Sequence, residues 1–336
     1  MIEDGWGYAE WDFQEQARRV EDRDVRILRR IAPRPYAPIE SRDGIRLGLI
    51  VDVETTGFDP VPRFEGDREP PDEILELCAL PFTYRTADDA LIAVHPPYRG
   101  LRQPSRPIPA KVAELTGISD AMVRGQTITR EAFEAAIGDP GGVAVVLAHN
   151  ARFDRGFLEA FPPLAAFFRR KPWACTIEDA DWPGEGLESG KLAFVAAMGF
   201  GLFYDAHRAE EDCKALAEIL ALPMPASGVT TLAKVLASAR RGRHRVRAFA
   251  PFACRHALKA RGYRWDPGAP GRAKAWFKDV SDLAAAEDET AFVLGLEGDA
   301  TGPSRSLIAH IDARERHSPR AGVAQEPEIV EPTEVE

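Results

Sequence analysis

At 336 residues, 45% hydrophobic and 29% charged, the chain has room for one catalytic domain and a smaller module, and its composition excludes fibrous and largely disordered classes. No apolar run approaches the roughly 20 residues of a membrane span, the acidic start Ile2-Glu3-Asp4 lacks the basic residues of a signal peptide, and Cys78, Cys175, Cys213 and Cys254 form no CxxC pair, so no membrane, zinc knuckle or disulfide framework is expected and a cytoplasmic location is. The net charge of −10 argues against a nucleic-acid partner only until it is resolved along the chain: Thr231 to Val280 holds 13 Lys/Arg against 2 Asp/Glu, or +11, which leaves −21 for the remainder.

Residues 1–44 open with Trp6, Tyr8, Trp11 and Phe13, and the spacing of Val25, Leu28 and Ile31 predicts an N-terminal helical extension closed by Pro33, Pro35 and Pro38. Leu47 to Val51 is a continuous apolar run, which predicts a central strand buried on both faces. A charged, Pro-rich insertion between Asp59 and Asp72 follows. Further strands are predicted near Leu91–Val94, Val143–Leu147 and Trp173–Ile177. Helices are predicted over Ala110–Leu115, Arg130–Ile137, from about Phe153, Lys191–Met198 and Ala209–Leu220. Strands that give way to alternating helices and strands predict an α/β fold, a mixed sheet with helices on both faces, over residues 45–223. Pro223 to Gly228 reads as a linker into a helix over about Leu232–Ala239, so 224–239 is assigned to linker and helix. A small basic, aromatic-rich module is expected over 240–297, and the acidic, Pro-containing residues 298–336 are expected to be disordered.

Three segments carry chemistry. Asp52 and Glu54 stand two apart at the end of the first apolar strand, so they project to one face, and crowded carboxylates of this kind favour a hard cation such as Mg²⁺ or Mn²⁺ between them. His149-Asn150-Ala151-Arg152-Phe153-Asp154 follows the strand Val143–Leu147, at the strand end where ligands gather in open α/β sheets. On its own Asp154 is equally a first-turn acid that favours the helix dipole. His207-Arg208-Ala209-Glu210-Glu211-Asp212 sets a histidine just ahead of a helix that carries an acid in its first turn. A histidine beside a metal cluster can take a proton from a bound water; a lone one is more often an ordinary surface residue.

In that order, DxE, HNxxFD and HxAxxD resemble the three motifs of the DEDDh 3′–5′ exonucleases, the proofreading-subunit and ribonuclease T type. Glu73-Ile74-Leu75-Glu76, Leu115-Thr116-Gly117-Ile118-Ser119, Cys175-Thr176 and Lys191-Leu192 add to the likeness, which covers about residues 45–222. The resemblance implies a ribonuclease-H-like sheet, two divalent ions, and release of 5′-mononucleotides from single-stranded 3′ ends of nucleic acid, with DNA repair or processing favoured. It implies Asp52, Glu54, Asp154 and Asp212 as metal ligands and His207 as general base. It also implies Thr55, Thr56, Phe153, His149 and Asn150 as substrate contacts. Arg152 and Arg155 either steer phosphate or lie on a solvated helix face. The Asp59–Asp72 insertion and Asp179–Gly186 depart from the family pattern without removing a catalytic residue.

In the basic module the cations interleave with Phe249, Phe252, Tyr263, Trp265, Trp276 and Phe277, a mixture that suits single-stranded nucleic acid; a small aromatic core with solubilising arginines is the rival reading. RNA trimming, or a catalytically silent nucleic-acid-binding protein, are the alternatives for the whole chain. The linker shows no Gln/Leu/Phe clamp-binding motif, which disfavours a replicative proofreading role; replication or repair partners are not specified.

Overall fold

A computed structural model describes residues 26–32, 34–40, 42–61, 70–266, 268, 273–296 and 303–321. Most of the expected N-terminal helix, Val25 included, lies outside these residues. Leu28 and Ile31, expected on one helical face, instead flank a short strand, β1 (Arg29–Arg30), which pairs in parallel with Leu202–Phe203. The prolines downstream explain the difference, since each disfavours helical backbone in the residue before it.

The larger half is built on β2 (Ile45–Thr55), β3 (Ile74–Arg85), β4 (Leu91–Val94), β5 (Tyr98–Leu101), β6 (Val143–Ala148) and β7 (Trp173–Cys175). The strand order is β4-β3-β2-β6-β7, with β5 pairing β3 beside β4. β3 runs antiparallel to β2, β4 and β5, while β2–β6 and β6–β7 are parallel, so the sheet is mixed as expected. β2 can sit at its centre because Leu49, Ile50 and Val51 are wholly buried on both faces. Gly48 is required there: a Cβ would fall 2.2 Å from the Phe82 ring.

Helices α1 (Ala110–Thr116), α2 (Asp120–Val123) and α3 (Arg130–Ile137) precede β6. α4 (Ala151–Ala160) and α5 (Pro162–Phe168) join α3 in covering the face that carries Leu49, Val51 and Val53. α6 (Thr176–Asp179) follows β7, and α7 (Leu192–Phe194) continues as one π turn over Val195–Gly199, a less regular helix than the one expected over Lys191–Met198. β8 (Leu202–Phe203) leads to α8 (Ala209–Ala221), which packs on Ile50, Cys78 and Leu80 from the other face. Full burial of each of its Leu and Ile side chains contributes about 1.5–3 kcal/mol.

The stretch assigned to a linker is not a spacer. Met224 is buried in a turn closed by Met224 N–H on the Val229 carbonyl at 2.9 Å, and α9 (Thr231–Arg240) buries Leu232, Val235 and Leu236 in the same core as α8. The C-terminal module is an antiparallel sheet in the order β10-β11-β9-β12, from β9 (Arg243–Phe249), β10 (Arg264–Asp266), β11 (Ala275–Val280) and β12 (Arg305–Ile311), with α10 (Arg255–Ala260) and α11 (Leu283–Leu294). β12 corrects the expected boundary at residue 297. Arg305–Ile311 pairs with β9 along its length, with Leu307, Ala309 and Ile311 buried on the face of Arg245 and Arg247 and Ile308 packed into the module's core on the other, a pattern that the acidic composition downstream obscured. Residues 298–302 and 322–336, the rest of the predicted disordered tail, lie outside the described residues.

Candidate metal centre and active site

β2 delivers two carboxylates at once. Near its end Val51 and Val53 pack towards α4, so Asp52 and Glu54, one residue out of phase, share the opposite face with Ile50. The pairing with β3 breaks register between Glu54 and Thr55, a bulge that ends the regular strand where the acids stand. Asp212 arrives in the first turn of α8. One carboxylate oxygen from each of Asp52, Glu54 and Asp212 can be chosen so that all lie within 4.8 Å of one another. Asp154, in the first turn of α4, joins from the side: its Oδ1 accepts the Val53 N–H at 3.1 Å, just past the point where β2 and β6 stop pairing at Ile50 and Leu147.

The electrostatics of the four are those of crowded anions. Burial pushes the Asp52 carboxyl well above the usual range, and Asp154, Asp212 and Glu54 push it further. Glu54 is pushed up to about 7, first by burial and then by Asp212 and Glu76, against the pull of Arg208. Asp154 is pushed up to about 8 by burial, which outweighs its backbone hydrogen bonds. Asp212 is raised in the same way, although Tyr204, His207 and Arg208 all hydrogen-bond it. Asp154 and Asp212 thus have protein donors, whereas no described residue donates to Asp52 or Glu54. Half-buried carboxylates that lack donors and raise one another's pKa are relieved by a cation between them or by a proton. A set made of carboxylate oxygens alone fits a hard divalent ion such as Mg²⁺ or Mn²⁺.

His207 sits at the mouth of the cluster, exposed, with φ of 69°. A left-handed backbone at a non-glycine residue costs on the order of 1 kcal/mol. It is held by Asp212, whose Oδ2 accepts the N–H groups of His207 at 2.9 Å and Arg208 at 3.2 Å, while Oδ1 accepts the Tyr204 hydroxyl at 2.8 Å. Asp212 therefore fixes the turn that carries the imidazole as well as facing the other acids. A second anchor went unassigned in the sequence. Glu76, opposite Glu54 across the β2–β3 ladder, takes Arg208 Nε at 3.1 Å and Nη2 at 2.8 Å, together with Ala209 N–H at 3.1 Å. That fork pins the start of α8. Only the strand register brings Glu76 there, and the register was not readable from the residue string.

The expected substrate contacts divide. Thr55 and Thr56 are buried and their hydroxyls are used internally: Thr55 donates to Gly57 O at 2.5 Å, and Thr56 donates to Asp72 Oδ1 at 3.0 Å while accepting Glu73 N–H at 2.9 Å. Asp72 also accepts Asp59 N–H at 3.1 Å, so it closes the base of the insertion, and Gly57 leaves room for it, since a Cβ would lie 2.4 Å from its carboxylate. Residues 62–69 of the insertion lie outside the described residues. His149 has both ring nitrogens engaged, Nδ1 with Thr176 Oγ1 at 2.8 Å and Nε2 with Gly190 O at 2.6 Å, and burial pushes it down to about 4. Both of its ring nitrogens are therefore used within the protein. Asn150 is exposed beside it. Phe153 is half-buried between Phe157 and Phe58, the latter 81% exposed and edge-on at 6.3 Å, which makes Phe58 an aromatic wall that sequence reading passed over.

The two arginines of α4 differ in their surroundings. Arg155 is wholly buried, bonded to Glu159 Oε1 at 2.7 Å and to the carbonyls of Arg314 and Arg316. Arg152 lies 5.3 Å from the Phe277 ring centroid in the module. The Asp179–Gly186 departure is also structural: Asp179 accepts Cys175 N–H at 2.9 Å, Ser238 Oγ at 2.8 Å and Arg316 Nη2 at 2.5 Å. In the module, Tyr263, Trp276 and Phe277 are core, as are Arg245 and Arg247, while Phe252 (76% exposed, with Arg255 over its ring at 4.2 Å) and Trp265 (48%) face outward.

Comparison with known proteins places this geometry. Over 176 residues the chain is 32% identical to a Mycobacterium tuberculosis protein named for a bifunctional exonuclease/endonuclease, covering 51% of this chain and 25% of that one. Over 173 residues it is 31% identical to a PolC-type DNA polymerase III of Clostridium perfringens, covering 51% and 11%. The chain thus spans about a quarter and about a tenth of these relatives' lengths. Among solved structures, E. coli exonuclease I in complex with a dA16 oligonucleotide is similar at 16% identity and a TM-score of 0.43, over 80% of this chain and 65% of that one. The sequence model of the RNase T exonuclease family matches residues 49–220, from within the strand that carries Asp52 and Glu54 to within the helix that carries Asp212. By that match, over half its length, the chain belongs to the exonuclease family.

Proposed function

We propose that the chain is a 3′–5′ exonuclease that removes 5′-mononucleotides from single-stranded 3′ ends, with DNA as its substrate in repair or processing. The observation that supports this most is the convergence of Asp52, Glu54 and Asp212 within 4.8 Å, with Asp154 joined to the same strand end through the Val53 N–H. Asp52, Glu54, Asp154 and Asp212 would hold two ions, Mg²⁺ or Mn²⁺, and the chemistry such ions supply when bound is activation of a water and neutralisation of charge at the scissile phosphate.

The chain's own groups do the rest. Asp212 holds the His207 turn so that the exposed imidazole can accept a proton from the attacking water. Glu76, through Arg208, keeps that turn in register with Glu54. Phe58 and Phe153 offer ring faces to the terminal base, and the loop built by Thr55, Thr56 and Asp72 presents backbone to the terminal sugar. The outward Phe252, Arg255 and Trp265 of the module extend the path for single-stranded nucleic acid.

The test is a ladder assay. Purified protein with Mg²⁺ or Mn²⁺ is incubated with 5′-labelled single-stranded DNA, a duplex with a frayed end, and RNA. Products shortening by single nucleotides, absent in Asp52→Ala, are expected. Label released first as a mononucleotide would reverse the polarity, RNA degraded in preference to DNA would move the substrate class, and undiminished activity in Asp52→Ala would remove the assignment.

A further inference from the structure

Between the catalytic domain and the C-terminal module lies a cavity of about 340 Å³ that the proposed reaction does not use. It is lined by Glu178 from α6, Arg243 from β9, Arg264 from β10, Asp279 from β11, and Arg316 and His317 from the turns after β12. The volume is at the small end of the roughly 300–1,000 Å³ of small-ligand sites.

Its charges do not balance internally. Two ion pairs are complete: Arg245 grips Asp279 through Nε at 2.6 Å and Nη2 at 2.8 Å, and Arg316 donates to Asp179 at 2.5 Å. What remains is one carboxylate, Glu178, against three guanidiniums. Arg264 is 3.5 Å from Glu178, and Arg243 is 3.8 Å from the already paired Asp179. Arg152 is 3.8 Å from the already paired Asp279, and its buried Nε and Nη2 have no hydrogen-bond partner among the described residues. Counting Arg152, which is not itself a lining residue, the surplus is two positive charges.

The second observation is His317. Its backbone is left-handed, with φ of 64°, and its ring is 2% exposed. Among the described residues neither ring nitrogen makes a hydrogen bond; the Glu178 carboxylate is 3.5 Å from Nδ1. A buried polar group without a partner costs about 1–3 kcal/mol, so a retained one marks the place of a missing acceptor or donor.

We propose that this cavity binds a terminal phosphate group, a dianion whose oxygens meet Arg243 and Arg264 at the rim and His317 at the floor. Guanidinium forks match phosphate oxygens in pairs, and a phosphate monoester carries the two charges the cluster lacks. The lining shares no residue with the carboxylate cluster, and the proposal does not depend on the catalytic roles assigned above. The group can come from inorganic phosphate, a 5′-mononucleotide, or the 5′-phosphate end of a strand.

Calorimetric titration of the full chain in Mg²⁺ tests it, with inorganic phosphate against sodium chloride of equal ionic strength. Wild type and Asp52→Asn are expected to bind phosphate alike. Arg243→Ala/Arg264→Ala should raise Kd about tenfold or more, the equivalent of about 1.4 kcal/mol or more. Arg264→Ala alone, on a side chain 48% exposed, serves if the double variant folds poorly. Competition in Asp52→Asn then identifies the source. Displacement of phosphate by a mononucleotide, by a 5′-phosphorylated oligonucleotide, or by neither assigns the free nucleotide, the strand end or inorganic phosphate. Equal displacement by a 5′-hydroxyl oligonucleotide would overturn the terminal-phosphate assignment, as would binding no stronger than chloride, loss of binding in Asp52→Asn, or wild-type affinity in the arginine variants.

Discussion

Replacing Asp52 by asparagine should stabilise the metal-free protein while abolishing its activity. Oxygens of Asp52, Glu54 and Asp212 come within 4.8 Å of one another. Two unit charges about 4.8 Å apart repel by about 3 kcal/mol at an effective dielectric constant near 20. The upward shifts of Asp52, Glu54 and Asp154 lessen this repulsion, since a carboxyl that takes up a proton carries no charge. The part recovered by Asp52→Asn is therefore smaller, about 2 kcal/mol, or a rise of about 4 °C in Tm in chelator. In Mg²⁺ the order should reverse. Wild type gains about 2.7 kcal/mol at an ion concentration near 100 times Kd, and a variant that lacks the Asp52 carboxylate gains little. Activity should fall by about 10³-fold or more, since about 4 kcal/mol of transition-state stabilisation goes with the site. Thermal melts of both proteins with EDTA and with Mg²⁺, beside the ladder assay, decide the matter. A variant that melts lower than wild type in EDTA, or that keeps the full Mg²⁺-dependent rise, would refute the argument that these carboxylates are crowded for a cation.

Phe58→Ala should leave Tm unchanged, because the ring is 81% exposed, yet raise KM for single-stranded oligonucleotides by about tenfold, the share of one stacked base; an unchanged KM removes Phe58 from the site. Glu76→Gln keeps one acceptor but loses the charged fork to Arg208, so urea unfolding should report a loss of about 2 kcal/mol, with kcat falling more than KM rises. Glu159 supplies a pH test of the contact between domains. Burial pushes its carboxyl up, but Arg320, Arg155 and Ser318 outweigh that and hold it below the usual value of 4.5. A depressed acid contributes stability that is full above its unfolded pKa and lost as pH falls through the native one. Denaturation midpoints of wild type and Glu159→Gln should thus diverge above pH 4.5 and converge below it; a constant gap would contradict the assignment.

The residue string reveals the catalytic half better than the rest for a definite reason. Asp52, Glu54, Asp154 and Asp212 each sit at the end or start of an element whose apolar period is strong, so their placement follows from local pattern. What stayed hidden depends on pairing between distant segments. Glu76 meets Arg208 only through the antiparallel register of β2 and β3, and His149 loses its nitrogens to Thr176 and Gly190 on a neighbouring strand end and loop. Arg155 reads as a surface cation in its helix and is buried only because residues 314 and 316 return to it from the far end of the chain. The N-terminal segment misled in the opposite way, since a three-residue spacing counted as helical while the prolines beyond it set an extended path.

That return has a consequence for how the two halves work together. α4 carries Asp154 on one side and Arg155 and Glu159 on the other, and the second side is where the chain's last described turns attach. Arg155 donates to carbonyls of Arg314 and Arg316, Glu159 accepts the Ser318 hydroxyl at 2.8 Å and Arg320 Nε at 3.0 Å, and Arg316 reaches Asp179 behind β7. These contacts join buried charges to their partners, so parting the halves would take Arg316 from the buried Asp179, at a cost of several kcal/mol for an acid left without its counter-ion, and would leave Arg155 with Glu159 but without its two carbonyl acceptors. A tether that was only a nucleic-acid-binding appendage would need none of this. The module is built into the back of the helix that positions Asp154, and truncation before β9 should therefore be expected to disturb the carboxylate cluster itself, not only the grip on long substrates.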